Sequence, residues 1–471
     1  MVEPVVVSCK ETVRPVAAGA GAPYDAGMLV FDLIAAQPEG TSPVSGGGEY
    51  TRRVFLRLTE RVAEAAGTAA AGGDNSADGG VPVGAASDRR DGPRSGVAAV
   101  CLADRPIDEE LVATCDRAGI PLHRVASTAE VGPLLRWEGA TRFFSALPLR
   151  YARFGPGFIP EDCEFVYTIH GLRPLELPWD ADELRYATTL RAVGRHLAAR
   201  WGGRRYLRRR RAQFEALFSM AAHRRIVTDS RHSQYALLSH FPQLTAADIE
   251  LYFAPTAPLP SPVTPDQLAS RLSAIREHAL GDAPPLQPDD YYLIITANRW
   301  GKNGARTVDA LRSLYAHGAI TRPTVLVGVR SHGRLPPYLK KLRRSPEARH
   351  FIFLDYRSRT DLDTLYQGAF AFLFLTLNEG FGYPPLECMS LGTPVLASGV
   401  NSIPELLGDG ALLCNPWLPA EIASRILELD HDAVTRDRLR SAGPRRAAAI
   451  RAEQERMLDE LVRSLLSRVA L

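Results

Sequence analysis

Apolar residues along this chain gather into short runs separated by stretches of helical spacing. Residues 28–34 are almost continuously apolar, as expected of a strand buried on both faces. A helical pattern follows through Phe55, Leu56, Leu58 and Val62. Residues 97–102 read as the next strand and 108–118 as a helix. A strand over 165–169 ends at His170, and another over 224–230 precedes a helix over 231–240. Past residue 290 the alternation restarts, with strands at 291–297, 324–329, 351–354, 369–375, 394–397 and 411–414 and helices at 306–317 and 360–367. Short apolar strands alternating with helices predict parallel sheets covered on both faces. The fold class is therefore α/β, with two doubly wound, Rossmann-like domains facing across a cleft.

The domain boundaries follow from composition. The first domain takes residues 1–265 and is interrupted over 67–98 by a flexible, low-complexity insertion of Gly, Ala, Ser and Asp. A Pro-rich stretch over 255–265 makes a hinge, 266–290 a linker, and 291–450 the second domain. The helical, Arg/Glu-rich end over 451–471 is long enough to return to the first domain. In open parallel sheets ligands sit beyond the carboxyl ends of the strands, so the cleft is the place to look for a site.

Bulk properties narrow the classes. Hydrophobic content of 45% and charged content of 23% describe a globular protein, and a formal charge of +3 gives no reason to expect nucleic acid. Lysine occurs only at 10, 302, 340 and 341. The six cysteines lie far apart, with no C-x-x-C pair, which predicts neither zinc nor a disulfide framework and fits a reducing cytoplasm. No apolar signal-peptide core precedes residue 30, and the apolar run over 369–377 is about half of what a membrane span needs. Membrane contact, if any, is expected to be peripheral, at the inner face of the plasma membrane. The basic run containing Arg204, Arg205, Arg208, Arg209, Arg210 and Arg211 is either a solvated face or a dock for anionic lipid or a phosphate-bearing acceptor.

Candidate chemistry clusters just past predicted strands. Gly380 and Gly382 allow a tight turn, Pro384 and Pro385 suit the first turn of a helix, and Gly392 fits just past its end. A helix N-terminus made this way stabilises an anion, and Glu379 and Glu387 bracket it. Arg299 and Lys302 lie after another strand and could neutralise an anionic group without a metal. His170 ends a buried strand. Gly46, Gly47 and Gly48 follow the first strand as a Gly-rich loop, without the Gly-Lys-Ser/Thr of a P-loop ATPase. The D-x-D pairs Asp180/Asp182, Asp361/Asp363 and Asp430/Asp432 lie in predicted surface helices or turns and are read as chance matches, so no catalytic metal is expected.

The ordered string Asn378-Glu-Gly-Phe-Gly-Tyr-Pro-Pro-Leu-Glu387-Cys-Met-Ser-Leu-Gly-Thr-Pro-Val395 resembles the E-x7-E signature of the retaining family 4 glycosyltransferases of the GT-B fold. The blocks at 401–411 and 415–416 continue the resemblance, which is dense over about 290–430 and sparser over 28–255. It implies that Glu379 contacts the transferred sugar beside its reacting carbon and that Glu387 bonds the ribose. Gly380, Phe381 and Gly382 would hold sugar hydroxyls or diphosphate through the loop. Arg299 and Lys302 would neutralise the leaving group, His170 would contact donor sugar and phosphate, and Gly47 and Gly48 would approach the diphosphate. Two departures stand out: only two residues separate Arg299 from Lys302, and His-Gly replaces the common His-Asp. The wording is most similar to the branch that uses GDP-mannose to build polysaccharides, with UDP-sugars second, and implies a glycan or lipid-linked acceptor. A nucleotide-sugar epimerase or sugar phosphorylase of the same fold, or a silent nucleotide-sugar-binding protein, are the other readings.

Overall fold

The computed structural model describes residues 27–38, 46–71, 96–177, 179–256, 258–296, 298–330 and 333–469, with backbone alone at 66–71 and 199. Seven strands form the first sheet: β1 (Met28–Asp32), β2 (Val97–Leu102), β3 (Leu122–Val125), β4 (Ala140–Ser145), β5 (Glu164–Ile169), β6 (Arg224–Thr228) and β7 (Ile249–Leu251). Six form the second: β8 (Tyr292–Ile295), β9 (Thr324–Val327), β10 (Phe351–Leu354), β11 (Ala371–Phe374), β12 (Val395–Ser398) and β13 (Leu412–Cys414). The orders are β3-β2-β1-β4-β5-β6-β7 and β10-β9-β8-β11-β12-β13, and every pairing is parallel. Both sheets reverse direction of strand addition beside their first strand, at β1/β4 and β8/β11. Each reversal opens a crevice at the carboxyl edge.

The continuous apolar runs are explained by burial. Leu293, Val325, Ile352, Phe372 and Leu396 are wholly buried, because helices cover both sheet faces. Three strands escaped the sequence reading: β3, β4 and β7. β3 carries His123 and Arg124, and β4 carries Arg142 within a short run, so neither stands out as apolar. β7 has only three residues.

The first half of the expected linker at 266–290 is a helix, Pro265–Glu277, started by a capping box between Thr264 and Gln267. It packs on the second domain, where Leu272 leaves no room for a Cβ at Gly368. The expected Gly-rich loop is also helical, since Gly46, Gly47 and Gly48 open the helix Gly46–Ala71. Ser45 and most of the 67–98 insertion lie outside the described residues. No helix among the described residues is long and apolar enough to cross a membrane.

Two stretches of chain connect the domains. One is the extended segment after β7. The other is the 34-residue helix Ala433–Leu466, which runs from the second domain back to the first. Near Pro444, inside that helix, Gly443 packs on Met389. Farther along, Gln454 Nε2 donates to Ala254 O at 2.5 Å and Arg451 Nη1 to Thr256 O at 3.0 Å, tying one connection to the other. The helix ends on the first domain, with Arg57 Nη2 2.6 Å from Glu455 Oε2 and Arg142 Nη1 donating to Leu465 O at 2.6 Å.

The domains meet at the carboxyl ends of β5 and β11. A Cβ added at Gly380 would fall well inside contact distance of the His170 carbonyl oxygen and 3.2 Å from Asp229 Oδ2. The obstacle is backbone, so the domains themselves would have to part. Gly380→Ala should therefore cost about 1–3 kcal/mol of closure by overpacking. Small-angle scattering should show a larger radius of gyration for that variant; an unchanged radius and melting curve would contradict this contact.

Candidate functional site

The cleft is built from four strand ends. From β11 comes the turn containing Glu379, where Thr376 Oγ1 donates to Gly301 O at 2.9 Å and Leu377 N to the same oxygen at 2.8 Å. Those bonds hold the β11 turn against the β8 turn and place Lys302 Nζ 2.5 Å from Glu379 Oε1. Thr376 Oγ1 lies 3.0 Å from the same oxygen. Burial works to raise the Glu379 carboxyl, but Lys302, Thr376 and Arg299 outweigh it and hold the group below its ordinary value. Glu379 is thus an ionised carboxylate in a largely enclosed place.

Gly382, at φ +120°, caps the helix Tyr383–Ser390, with Pro384 and Pro385 in its first turn and Gly392 at φ +80° after its end. Glu387 is one turn into this helix and buried. Burial raises its carboxyl, and Arg359, 2.6 Å away, offsets that only in part. The two glutamates are therefore pushed in opposite directions, the pattern of an acid and a base. The bond to Arg359, at the start of the helix Arg359–Gly368, instead gives Glu387 the setting of a fixed hydrogen-bonding group.

From the first domain, β5 delivers His170. Its Nδ1 lies 2.9 Å from Asp229 Oδ2, and Asp229 follows β6. A carboxylate accepts and does not donate, so Asp229 fixes a proton on Nδ1, and in the neutral ring Nε2 is then the acceptor. Nε2 is buried without a hydrogen-bond partner. Tyr50 packs edge-on against the ring at 4.8 Å between centroids. His170 also lines a mostly apolar cavity of about 290 Å³, together with Leu147, Pro148 and Phe214.

The structure thus brings Glu379, Lys302, Gly380 and His170 together, with Arg299 exposed beside them. Gly46 lies close to Tyr383, so the N-termini of their two helices approach each other across the cleft. Gly47 is confined by Leu147. The Phe381 ring is buried between Phe253 and Tyr383, which leaves its backbone to the loop. Asp180 differs from expectation, because it is no surface residue. It is buried, accepts from Trp300 Nε1 at 2.7 Å and takes both terminal nitrogens of Arg306 at 2.8 and 2.9 Å, clamping the first domain to the second. Among the described residues, no three His, Cys, Asp or Glu side chains gather as a metal site.

Sequence reasoning missed Asp229, Arg359, Thr376 and Tyr50. Only Asp229 and Arg359 left a signal, each being a charged residue shortly after an apolar strand.

Residues 284–446 match the family described as glycosyl transferases group 1. The second domain is a group 1 glycosyltransferase domain. O-antigen chain mannosyltransferase B of Escherichia coli is 42% identical over 76 residues, which is 16% of this chain and 20% of that protein. The chain spans only 16–26% of the length of the curated relatives it matches. Among solved structures, sucrose-phosphate synthase of Thermosynechococcus elongatus superposes with a TM-score of 0.58 at 16% identity, covering 94% of this chain and 99% of that one. HepE of Anabaena in complex with UDP gives 0.55 at 15% identity, covering 94% and 100%. These likenesses show the fold of the whole chain to be GT-B, with the group 1 domain as its second half.

The closed cleft carries a titratable clamp. His232 Nε2 lies 2.6 Å from Glu176 Oε1, Asn378 Nδ2 donates to Glu176 Oε2 at 3.0 Å, and the Asn401 amide lies 3.0 Å from His232. The hydrogen bond to Glu176 raises the imidazole above its ordinary 6.5, against desolvation. Burial raises Glu176, but the bonds from His232 and Asn378 outweigh it and lower it. A raised histidine stabilises fully below pH 6.5 and loses that contribution as pH rises through the higher folded value, while a lowered carboxyl loses its share only in acid. The melting temperature should accordingly fall as pH rises above 6.5, and His232→Gln should flatten that slope; an equal slope in the variant would contradict the clamp.

Proposed function

We propose that the chain transfers a hexose, with mannose favoured, from a nucleoside diphosphate donor to a glycan or lipid-linked acceptor, retaining the configuration of the reacting carbon. The observation that carries this reading is the convergence of ionised Glu379, its partner Lys302 and the bare His170 Nε2 where the helix Tyr383–Ser390 begins. The group 1 domain supports the reaction class. The names of the O-antigen mannosyltransferase relatives support mannose, and with it GDP-mannose. UDP-sugars stand second, since HepE is seen with UDP.

In this reading the bond from the sugar's anomeric carbon to the diphosphate oxygen breaks as the acceptor oxygen bonds the same carbon from the same face. The acceptor's proton passes to the departing phosphate oxygen. Arg299, Lys302 and the amides at the helix start take up the charge growing on the diphosphate, so no metal or other cofactor is needed. Glu379 stabilises the positive charge that develops on the sugar, which requires it ionised, and its lowered pKa suits that role. Glu387, steadied by Arg359, is available to a ribose hydroxyl. His170 Nε2 accepts from a donor-sugar hydroxyl. Gly47, Gly48, Gly380 and Gly382 let backbone approach sugar and diphosphate, and Phe381 joins them through its own backbone while its ring packs in the core.

Glu379→Gln keeps the shape and removes the charge. Turnover of GDP-mannose with a membrane-extract acceptor should fall at least ~100-fold, with the melting temperature nearly unchanged. Undiminished turnover of any nucleotide sugar by the variant sinks the assignment. Conversion of the donor sugar without acceptor would point to an epimerase instead.

A peripheral contact with an anionic cytoplasmic membrane surface is a second part of the proposal. The helix Gly203–Phe218 exposes Arg204, Arg205, Arg208 and Arg209, and the preceding helix exposes Leu190 at 89% and Trp201 at 86%. Each such arginine contributes about 1 kcal/mol near an anionic surface. The chain should co-sediment with phosphatidylglycerol vesicles, less so at high salt and less so with the four arginines changed to Gln. Equal binding to phosphatidylcholine vesicles would contradict an electrostatic dock.

A further inference from the structure

A second cavity, of about 600 Å³, opens between the domains on the far side of the β8 turn. Its walls include Arg173, Arg195 and Arg210 from the first domain and Asn298 and Arg299 from the second. Lys302, Glu379 and Gly380 are not part of it. Arg173 opens the short helix Arg173–Glu176 shortly after His170, so β5 serves both cavities. Its Nη1 lies 3.6 Å from where a Cβ on Gly301 would stand, which carries the guanidinium across to the second domain.

Two observations mark this cavity as a ligand site. First, no carboxylate among the described residues lies within ion-pair distance of Arg173, Arg195 or Arg299. Arg210 is held in place by Gln213 at 3.1 Å and by the face of Tyr206 at 5.1 Å. The acid in the wall, Glu183, is already engaged by His196 Nδ1 at 3.0 Å. Second, Asn298 is 8% exposed, and both Nδ2 and Oδ1 lack any hydrogen-bond partner. It holds a left-handed backbone at φ +47°, fixed by its N–H donating to Thr296 Oγ1 at 2.7 Å. Buried amides are nearly always satisfied, so an unpaired one in the wall of a basic cavity is a donor and acceptor pair that a small rotation of the side chain would offer to a polar guest. Forked guanidinium donors in excess of acceptors select a phosphate over a neutral sugar.

We propose that this cavity binds a phosphate or pyrophosphate group of the acceptor, with Asn298 bonding a neighbouring hydroxyl or phosphate oxygen. The inference rests on the glycosyl-transfer reading for the word acceptor, though not for the anion site itself. Three of the four arginines belong to the first domain; of the donor's proposed contacts Arg299 alone borders the cavity, while Lys302, Glu379, Gly380, Gly382, Glu387 and His170 lie outside it. The group is therefore distinct from the donor diphosphate.

Inorganic pyrophosphate, titrated calorimetrically into the full chain with and without saturating GDP, tests this. Binding should persist with GDP present. Arg173→Gln with Arg195→Gln should weaken pyrophosphate at least tenfold and leave GDP affinity within twofold, and Asn298→Ala should weaken pyrophosphate in the same direction. Geranyl pyrophosphate and mannose 6-phosphate are then used as competitors. Displacement by the first assigns a lipid-linked acceptor, and displacement by the second a soluble one. Displacement by neither, competition by GDP, or no pyrophosphate binding overturns the site. Pyrophosphate binding by a chain that binds no nucleoside diphosphate would instead remove the glycosyl-transfer reading and leave the anion site standing.

Discussion

Contact between two stretches of backbone, Gly380 against the His170 carbonyl, sets the geometry on which everything else in the cleft depends. Strand ends from separate sheets meet there without a side chain between them. The approach puts an ionised carboxylate, a fixed imidazole and a helix N-terminus around one small volume. It also explains why glycine stands at 380 for a reason unlike the one at 382. Gly382 turns the chain through a left-handed conformation at φ +120°, whereas Gly380 lacks a Cβ so that a second domain can come near.

Around that contact the charges are arranged by desolvation. Lys302 with Glu379, Arg359 with Glu387 and Arg306 with Asp180 are each buried in part or whole, and each is made within or beside the cleft. Such pairs contribute little net stability compared with apolar packing, but removing one partner strands the other at a cost of about 3–5 kcal/mol. Their effect is to fix positions. Asp180 shows this best, because one carboxylate from the first domain takes three N–H donors from the second.

Much of the architecture was legible in the chain because parallel strands covered on both faces become unbroken apolar runs. The strands at 351–354 and 165–169 and the helix at 231–240 fall within a residue of where periodicity puts them. β3 and β4 were not legible, since Arg and His interrupt them, and a helix at 265–277 was hidden by the prolines around it. At the site, glycine and proline around 380–392 reveal a turn and a helix start from local chemistry alone. Asp229 and Arg359 do not reveal their partners, because pairing between residues 59 or 28 positions apart is a tertiary fact. Phe381 sits in the most recognisable stretch of the chain, and local sequence still does not show that its ring belongs to the core.

The long helix Ala433–Leu466 has a mechanical meaning. It crosses between the domains beside the extended segment after β7, and the two crossings are stitched together by Gln454 and Arg451. Two bodies joined at a single point can swivel freely, but two adjacent attachments leave a preferred axis, as a door on paired hinges. Opening of the cleft is then a rotation about that double crossing. Residue 27 also pairs with residue 469, closing the first domain around the end of the same helix. A cut through the segment after β7 would therefore leave the halves still attached through the helix, and a second domain isolated by cutting both would carry away a helix whose buried face has lost its partner.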